Sequence, residues 1–193
     1  MTTIKEVLKV FSDRVSVCTD MDWIIVGSTA SLIQGCNNIR PNDIDILVKQ
    51  NGDVDKIVNL FMDYLPKITP SLIFNKHWVS TMHAPTFSIH NVTKKWSFAR
   101  LNIHGIIIEI ANTVPDEYLE LSPIVWELKK YDEYEEMFVP VVPLELQMHS
   151  SYEQKKLDRV RTIKEIIKSK NLDLQFMENY LSSSDYRQLM EEI

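Results

Sequence analysis

The stretch Trp23–Val48, WIIVGSTASLIQGCNNIRPNDIDILV, decides how the rest of the chain is read. It opens on Trp23-Ile24-Ile25-Val26, an apolar, β-branched run with the length of a buried strand. Gly27-Ser28 follows, then a helix over Thr29 to Gln34 that Gly35 can close from the position just past its end. After a turn at Pro41-Asn42 comes Asp43-Ile44-Asp45-Ile46-Leu47-Val48, a second strand. Strand side chains alternate faces, so Asp43 and Asp45 project from one side with Cα atoms roughly 6.6 Å apart. Two carboxylates that close suit Mg²⁺, a hard cation that takes oxygen ligands and also favours phosphate oxygens. Carboxylates clustered without a cation repel, so one of them should titrate high. The Ser28 hydroxyl and the unpaired N–H groups of the helix start offer an anion seat beside them. A phosphate seat and a metal clamp on adjacent strands point to nucleotide chemistry.

Composition sets the frame around this stretch. The chain has 193 residues, 45% hydrophobic and 25% charged, enough to bury a core as one domain with a small appendage. No apolar run approaches the roughly 20 residues of a membrane span. The start, MTTIKEVLKVF, lacks the basic opening and long apolar core of a signal peptide. Cys18 and Cys36 have no metal-ligand spacing and read as unpaired thiols. The expectation is a cytoplasmic, reduced protein with no membrane partner. A net charge of −6 argues against a dedicated nucleic-acid binder.

Before the central stretch, Thr3 and Glu6 form a capping box for a helix whose stripe is Ile4, Val7, Leu8 and Phe11. After it, Asp53 is placed to cap a helix carrying Val54, Ile57, Val58, Phe61 and Leu65, ended by Pro66 and Pro70. The pattern then turns to period two. Leu72 to Phe74, Thr86 to His90 and Trp96 to Ile103 read as strands, with His104-Gly105 as a hairpin turn into Ile106–Ile110. Glu109 interrupts that last apolar run. It either faces solvent at a sheet edge or points to the face that carries Asp43 and Asp45, because an unpaired buried carboxylate is costly. His77, His83 and His90 fit no zinc spacing. Trp78, Phe87 and Trp96 could line a base or acceptor pocket, but buried aromatics are usually core, and they stay out of the candidate site. Residues 126–142 read as a polar-faced hairpin. From Pro143 the pattern is helical, over 143–152 and 153–168, with Leu157, Val160, Ile163 and Ile167 as a stripe and Ser184-Asp185 capping a last short helix. The expected division is a core over 1–142 and a helical C-terminal part over 143–193 packed against it.

Gly27-Ser28 followed by Asp43-Ile44-Asp45 on the next strand resembles the signature of the nucleotidyltransferase superfamily, the DNA polymerase beta-like fold. With Arg40-Pro41-Asn42 ahead of the acids, the stretch is similar to small prokaryotic minimal and antitoxin-type nucleotidyltransferases. The resemblance implies an α/β (α+β) fold, a mixed sheet with helices on one face and a helical C-terminal part closing a cleft. It implies metal-dependent transfer of a nucleoside monophosphate from an NTP to an acceptor hydroxyl, with Mg²⁺ or Mn²⁺ as cofactor. Asp43, Asp45 and Glu109 would be the catalytic and metal-binding carboxylates, Glu109 helping to deprotonate the attacking hydroxyl. Ser28 and the backbone at Gly27 would hold phosphates. Relatives carry a Lys-Asp pair in a helix after a Pro-Leu-Glu-like start. Here Pro143-Leu144-Glu145 fits, but Lys156-Leu157-Asp158 and then Arg161 depart from the pattern.

Lys155 to Lys170 holds seven basic and two acidic residues, read as a solvated helix or as a phosphate-facing wall. Lys156 shares a helical register with Val160, Ile163 and Ile167, which would put it on the packed face and within reach of the triphosphate. Three functions stay open: an active nucleotidyltransferase, a non-catalytic or antitoxin-like relative that binds a partner protein, and a nucleotide-binding regulator. The acceptor hydroxyl could belong to a small molecule, a protein or an RNA end.

Overall fold

The computed structural model describes residues 3–91, 94–114, 118–170 and 186–187. Helix α1 (Ile4–Val15) starts with the expected capping box. The Thr3 side chain accepts from the Glu6 N–H, and the Glu6 carboxylate accepts from the Thr3 N–H at 2.7 Å. Strand β1 (Trp23–Val26) runs directly into α2 (Gly27–Ile33), which ends in a Schellman motif. There Gly35, at φ 104°, lets the Cys36 N–H reach Ser31 O and its own N–H reach Leu32 O. Strand β2 (Asp43–Val48) pairs antiparallel with β1, setting Val26 opposite Asp45.

Helix α3 (Asn51–Asn59) follows, capped at Gln50 rather than Asp53. Asp53 lies inside the first turn, buried and paired with Lys56 at 2.8 Å. The helix stops well before Pro66. Phe61 and Leu65 are buried all the same, on either side of a 3₁₀ turn over Met62–Tyr64. Leu72 to Phe74 forms no strand. It is an exposed loop, Leu72 93% accessible, because three apolar residues between Pro70 and Asn75 find no neighbouring strand to pair with.

Strands β3 (Phe87–His90), β4 (Lys95–Ile103) and β5 (Ile106–Asn112) form an antiparallel meander, turning at His104-Gly105 where both residues have positive φ. A 3₁₀ turn at Leu119–Leu121 and the short α4 (Val125–Leu128) lead into the hairpin β6 (Lys130–Tyr134) and β7 (Met137–Val141). Helices α5 (Leu144–Glu153) and α6 (Leu157–Lys170) complete the described chain. The expected last helix lies outside the described residues except for Tyr186 and Arg187, which are helical. None of the described helices is long and apolar enough to cross a membrane.

The seven strands form one mixed sheet in the order β3-β4-β5-β2-β1-β7-β6, an α/β architecture. Pairing is antiparallel except for β2–β5 and β1–β7. One face carries Trp23, Ile44, Ile46 and Val48 and is covered by α1 and α3. Phe11 of α1 meets Trp23 edge-on at 5.3 Å and stacks on Phe61 at 5.7 Å. The other face carries Asp43 and Asp45 and opens into a cleft. The C-terminal helices build a second apolar cluster from Leu144, Met148, Val160, Ile163 and Ile167 around the buried Cys36.

A candidate active-site cleft

Asp43, Asp45 and Glu109 reach one face of one sheet although sixty-six residues separate the first from the last. The parallel pairing of β2 with β5 does this. It sets Asp45 opposite Glu109, with Asp43 two residues along on the same face and the buried Ile44 and Ile108 turned the other way. Glu109 is therefore not at a sheet edge, since β5 lies between β2 and β4. The three acids line a cleft of about 680 Å³ together with Gly27, Ser28, Glu120, Lys156 and Arg159.

Gly27 sits where the chain leaves β1, at φ 67°. A Cβ there would overlap the Asp45 carboxylate, whose Cγ lies 3.1 Å from the position it would take. The absence of a side chain lets the loop close on Asp45. Thr29 Oγ1 donates to Asp43 O at 2.7 Å, tying α2 to the start of β2. Asp45 is held far from its ordinary ionisation. Burial first, and then the charges of Asp43, Glu109 and Glu120, push its carboxyl up to about 7, with Arg159 opposing.

Two arginines hold this ground, and the sequence singled out neither. Arg100 lies opposite Glu109 on β4, and its Nε and a terminal nitrogen contact Glu109 Oε1 at 2.7 and 2.6 Å. Its other terminal nitrogen donates to Lys76 O and Trp78 O. The cross-strand position of Arg100 was the available signal, but it required the β4–β5 register. Arg159 projects from α6 to Gln147 Oε1 at 2.8 Å, Glu120 Oε2 at 3.3 Å and Ser31 Oγ at 3.3 Å, while Ser31 also donates to Gln147 Oε1. Glu120 is 4% exposed, and burial raises its pKa against the pull of Arg159 and Lys156.

Lys156 does not lie on a buried stripe. Gln154 to Lys156 break the helix, Lys155 has φ 58°, and α6 begins only at Leu157. Lys156 is exposed at the cleft rim, and Leu157 is 49% exposed. Of the seven basic residues from Lys155 to Lys170, Lys156 and Arg159 line the cleft. His77, His83 and His90 are on the surface. Trp78 is sealed into an aromatic cluster at 2% exposure, whereas Trp96 lines the cleft.

The donor set fits a divalent cation at Asp43 and Asp45, whose carboxylates line the cleft on one face of β2. Among the described residues, no three His, Cys, Asp or Glu side chains are grouped so as to hold a metal ion. The Arg100 contact on Glu109 is confined to Oε1.

No family profile matches the chain, and no curated protein matches it in sequence. Solved structures do match. A protein described as a candidate nucleotidyltransferase from Thermotoga maritima aligns over 86% of this chain and 92% of its own, at 20% identity and a TM-score of 0.56. An antigenic nucleotidyltransferase-like protein from Paracoccidioides brasiliensis aligns over 84% and 74%, at 14% identity and a TM-score of 0.45. ANT(2")-Ia, solved with adenylyl-2"-tobramycin, aligns over 97% and 95%, at 11% identity and a TM-score of 0.48. The first of these likenesses gives the chain a nucleotidyltransferase-like fold.

Proposed function

We propose that this protein is a metal-dependent nucleotidyltransferase that moves a nucleoside monophosphate from an NTP to an acceptor hydroxyl. The observation that carries the reading is the β2–β5 register, which gathers Asp43, Asp45 and Glu109 on the cleft face beside Gly27-Ser28. Asp43 and Asp45 would hold Mg²⁺ or Mn²⁺, and Glu109 would complete the set through the oxygen that Arg100 does not contact. Such a cation, when bound, supplies Lewis-acid stabilisation of charge on the phosphate oxygens. The chain's own residues orient the reactants. Ser28 and the Gly27 backbone stand against the phosphates, and Lys156 and Arg159 bring positive charge to the same side. Glu109 takes the proton of the attacking hydroxyl.

The test is binding. Mg²⁺ with NTP should raise the melting temperature of the wild-type protein by linkage, and Asp45→Asn should abolish that rise. An unchanged metal-dependent shift in the variant would place the site elsewhere. Labelled NTPs then report transfer and show which base is used.

One observation favours a second reading, a non-catalytic relative that binds a partner protein. The Arg100–Glu109 ion pair occupies the third carboxylate. Under that reading neither the wild-type protein nor Arg100→Ala transfers a nucleotide. Under the transferase reading, freeing Glu109 alters the metal dependence.

A further inference from the structure

The cleft has two sides of different chemistry. On the β1 side of the carboxylate strands stand Ser28, Lys156 and Arg159. On the other side, beyond β5, the wall is Trp96 and Phe98 of β4, Ile89 of β3, and Phe74 of the loop ahead of β3. The rings interlock. Trp96 stacks on Phe98 at 5.6 Å, and Phe74 stands edge-on to both at 5.3 and 5.2 Å. Trp78 closes the back of this cluster, but its front is open, with Phe74 37% and Ile89 42% exposed. Apolar surface left toward water on a cleft wall is the mark of a binding site, because covering it is favourable.

We propose that this wall is the acceptor site, and that the acceptor is a small molecule whose hydroxyl is carried on a flat, apolar or aromatic body. The inference rests on the transferase reading and follows from the geometry of displacement at phosphorus. The acceptor oxygen forms a bond to the α-phosphorus while the bond from that phosphorus to the β-phosphate oxygen breaks. Pyrophosphate leaves with the electron pair, and the hydroxyl proton passes to Glu109. Attacking and leaving oxygens stand in line on opposite sides of the phosphorus. With phosphates drawn to Lys156 and Arg159, the attacking hydroxyl comes from across Asp45 and Glu109, and there it meets the aromatic wall. A flat apolar body stacks on Trp96 and Phe74. A cleft of about 680 Å³ suits a small molecule, and the net charge of −6 opposes RNA.

Calorimetry with 2-naphthol as the probe, with and without MgATP, tests this on the full-length protein. The exposed Ile89→Glu and the half-buried Trp96→Leu should each weaken 2-naphthol binding by about ten-fold while leaving MgATP affinity within about two-fold. Because Ile89 lies on the sheet's outer strand, its variant keeps the test sound should Trp96→Leu fail to fold. Labelled ATP should then mark 2-naphthol in preference to tobramycin, a tyrosyl peptide or total tRNA. Variants that lose MgATP and keep 2-naphthol would make the wall a nucleobase platform and overturn the proposal. So would a wild-type protein that binds MgATP but not 2-naphthol, or transfer that favours the peptide or the RNA. A protein that holds 2-naphthol but binds no MgATP would instead remove the transferase reading, and the acceptor role with it.

Discussion

A side chain at position 27 would collide with the carboxylate that the site most needs. Gly27 has φ 67°, and its missing Cβ is the space the Asp45 carboxylate occupies. Gly27→Ala should cost about 1–3 kcal/mol of stability through backbone strain, read by urea denaturation, and should shrink the metal-dependent rise in melting temperature. Asp45 gives a second outcome, in pH. Its folded carboxyl is raised from 3.8 to about 7, so ionisation works against the fold. The stability this group contributes is complete below its unfolded value and is lost as pH rises through about 7. The metal-free protein should therefore lose stability between pH 5 and pH 8 relative to Asp45→Asn, measured by denaturation at both values. Equal slopes for the two proteins would show that Asp45 is not held high. Both residues were legible in the sequence, because Gly-Ser after a strand and Asp-x-Asp on the next are local patterns. What the sequence could not show is that they touch.

At the scale of elements, α6 is held to α2, α5 and the 3₁₀ turn at Leu119–Leu121 by Arg159 as well as to α5 by its apolar stripe. The guanidinium joins Ser31 of α2, Gln147 of α5 and Glu120, so that four segments meet at one cation. Arg159→Met should destabilise the protein by roughly 3–5 kcal/mol, because it leaves the Glu120 carboxylate buried without its partner. Adding Glu120→Gln should recover much of that loss, a coupling that a double-mutant cycle measures directly. Additive effects would mean the two residues act apart. The sequence pointed to Lys156 because its helical register was extended one turn past the true start. Arg159 lies four residues before Ile163 and was as eligible by spacing. The break at Gln154 to Lys156, with Lys155 in the left-handed region, carries no glycine or proline to announce it. Leu72–Phe74 shows the converse, a strand-like run with no strand beside it.

For the whole molecule, the elements were largely readable and their arrangement was not. Periodicity located α1, β1, β2, β4 and β5, and turn chemistry found the hairpin at His104-Gly105. The sheet order depends on β2 beside β5 and β1 beside β7, pairings between segments about 60 and 115 residues apart that no local pattern encodes. The long-range pairing also imposes a calendar on synthesis. As the chain emerges from its N-terminus, Asp43 and Asp45 are available early, and β1, α2 and β2 can settle as soon as they are made. Glu109 joins them only after the meander has been produced, and Arg159 arrives some fifty residues later still, in the first turn of α6. A growing chain thus carries Gly27-Ser28 and the Asp43–Asp45 pair long before it has a finished cleft. The cleft wall is complete only with the closing helix, so truncated products hold the local pattern of the site without its enclosure.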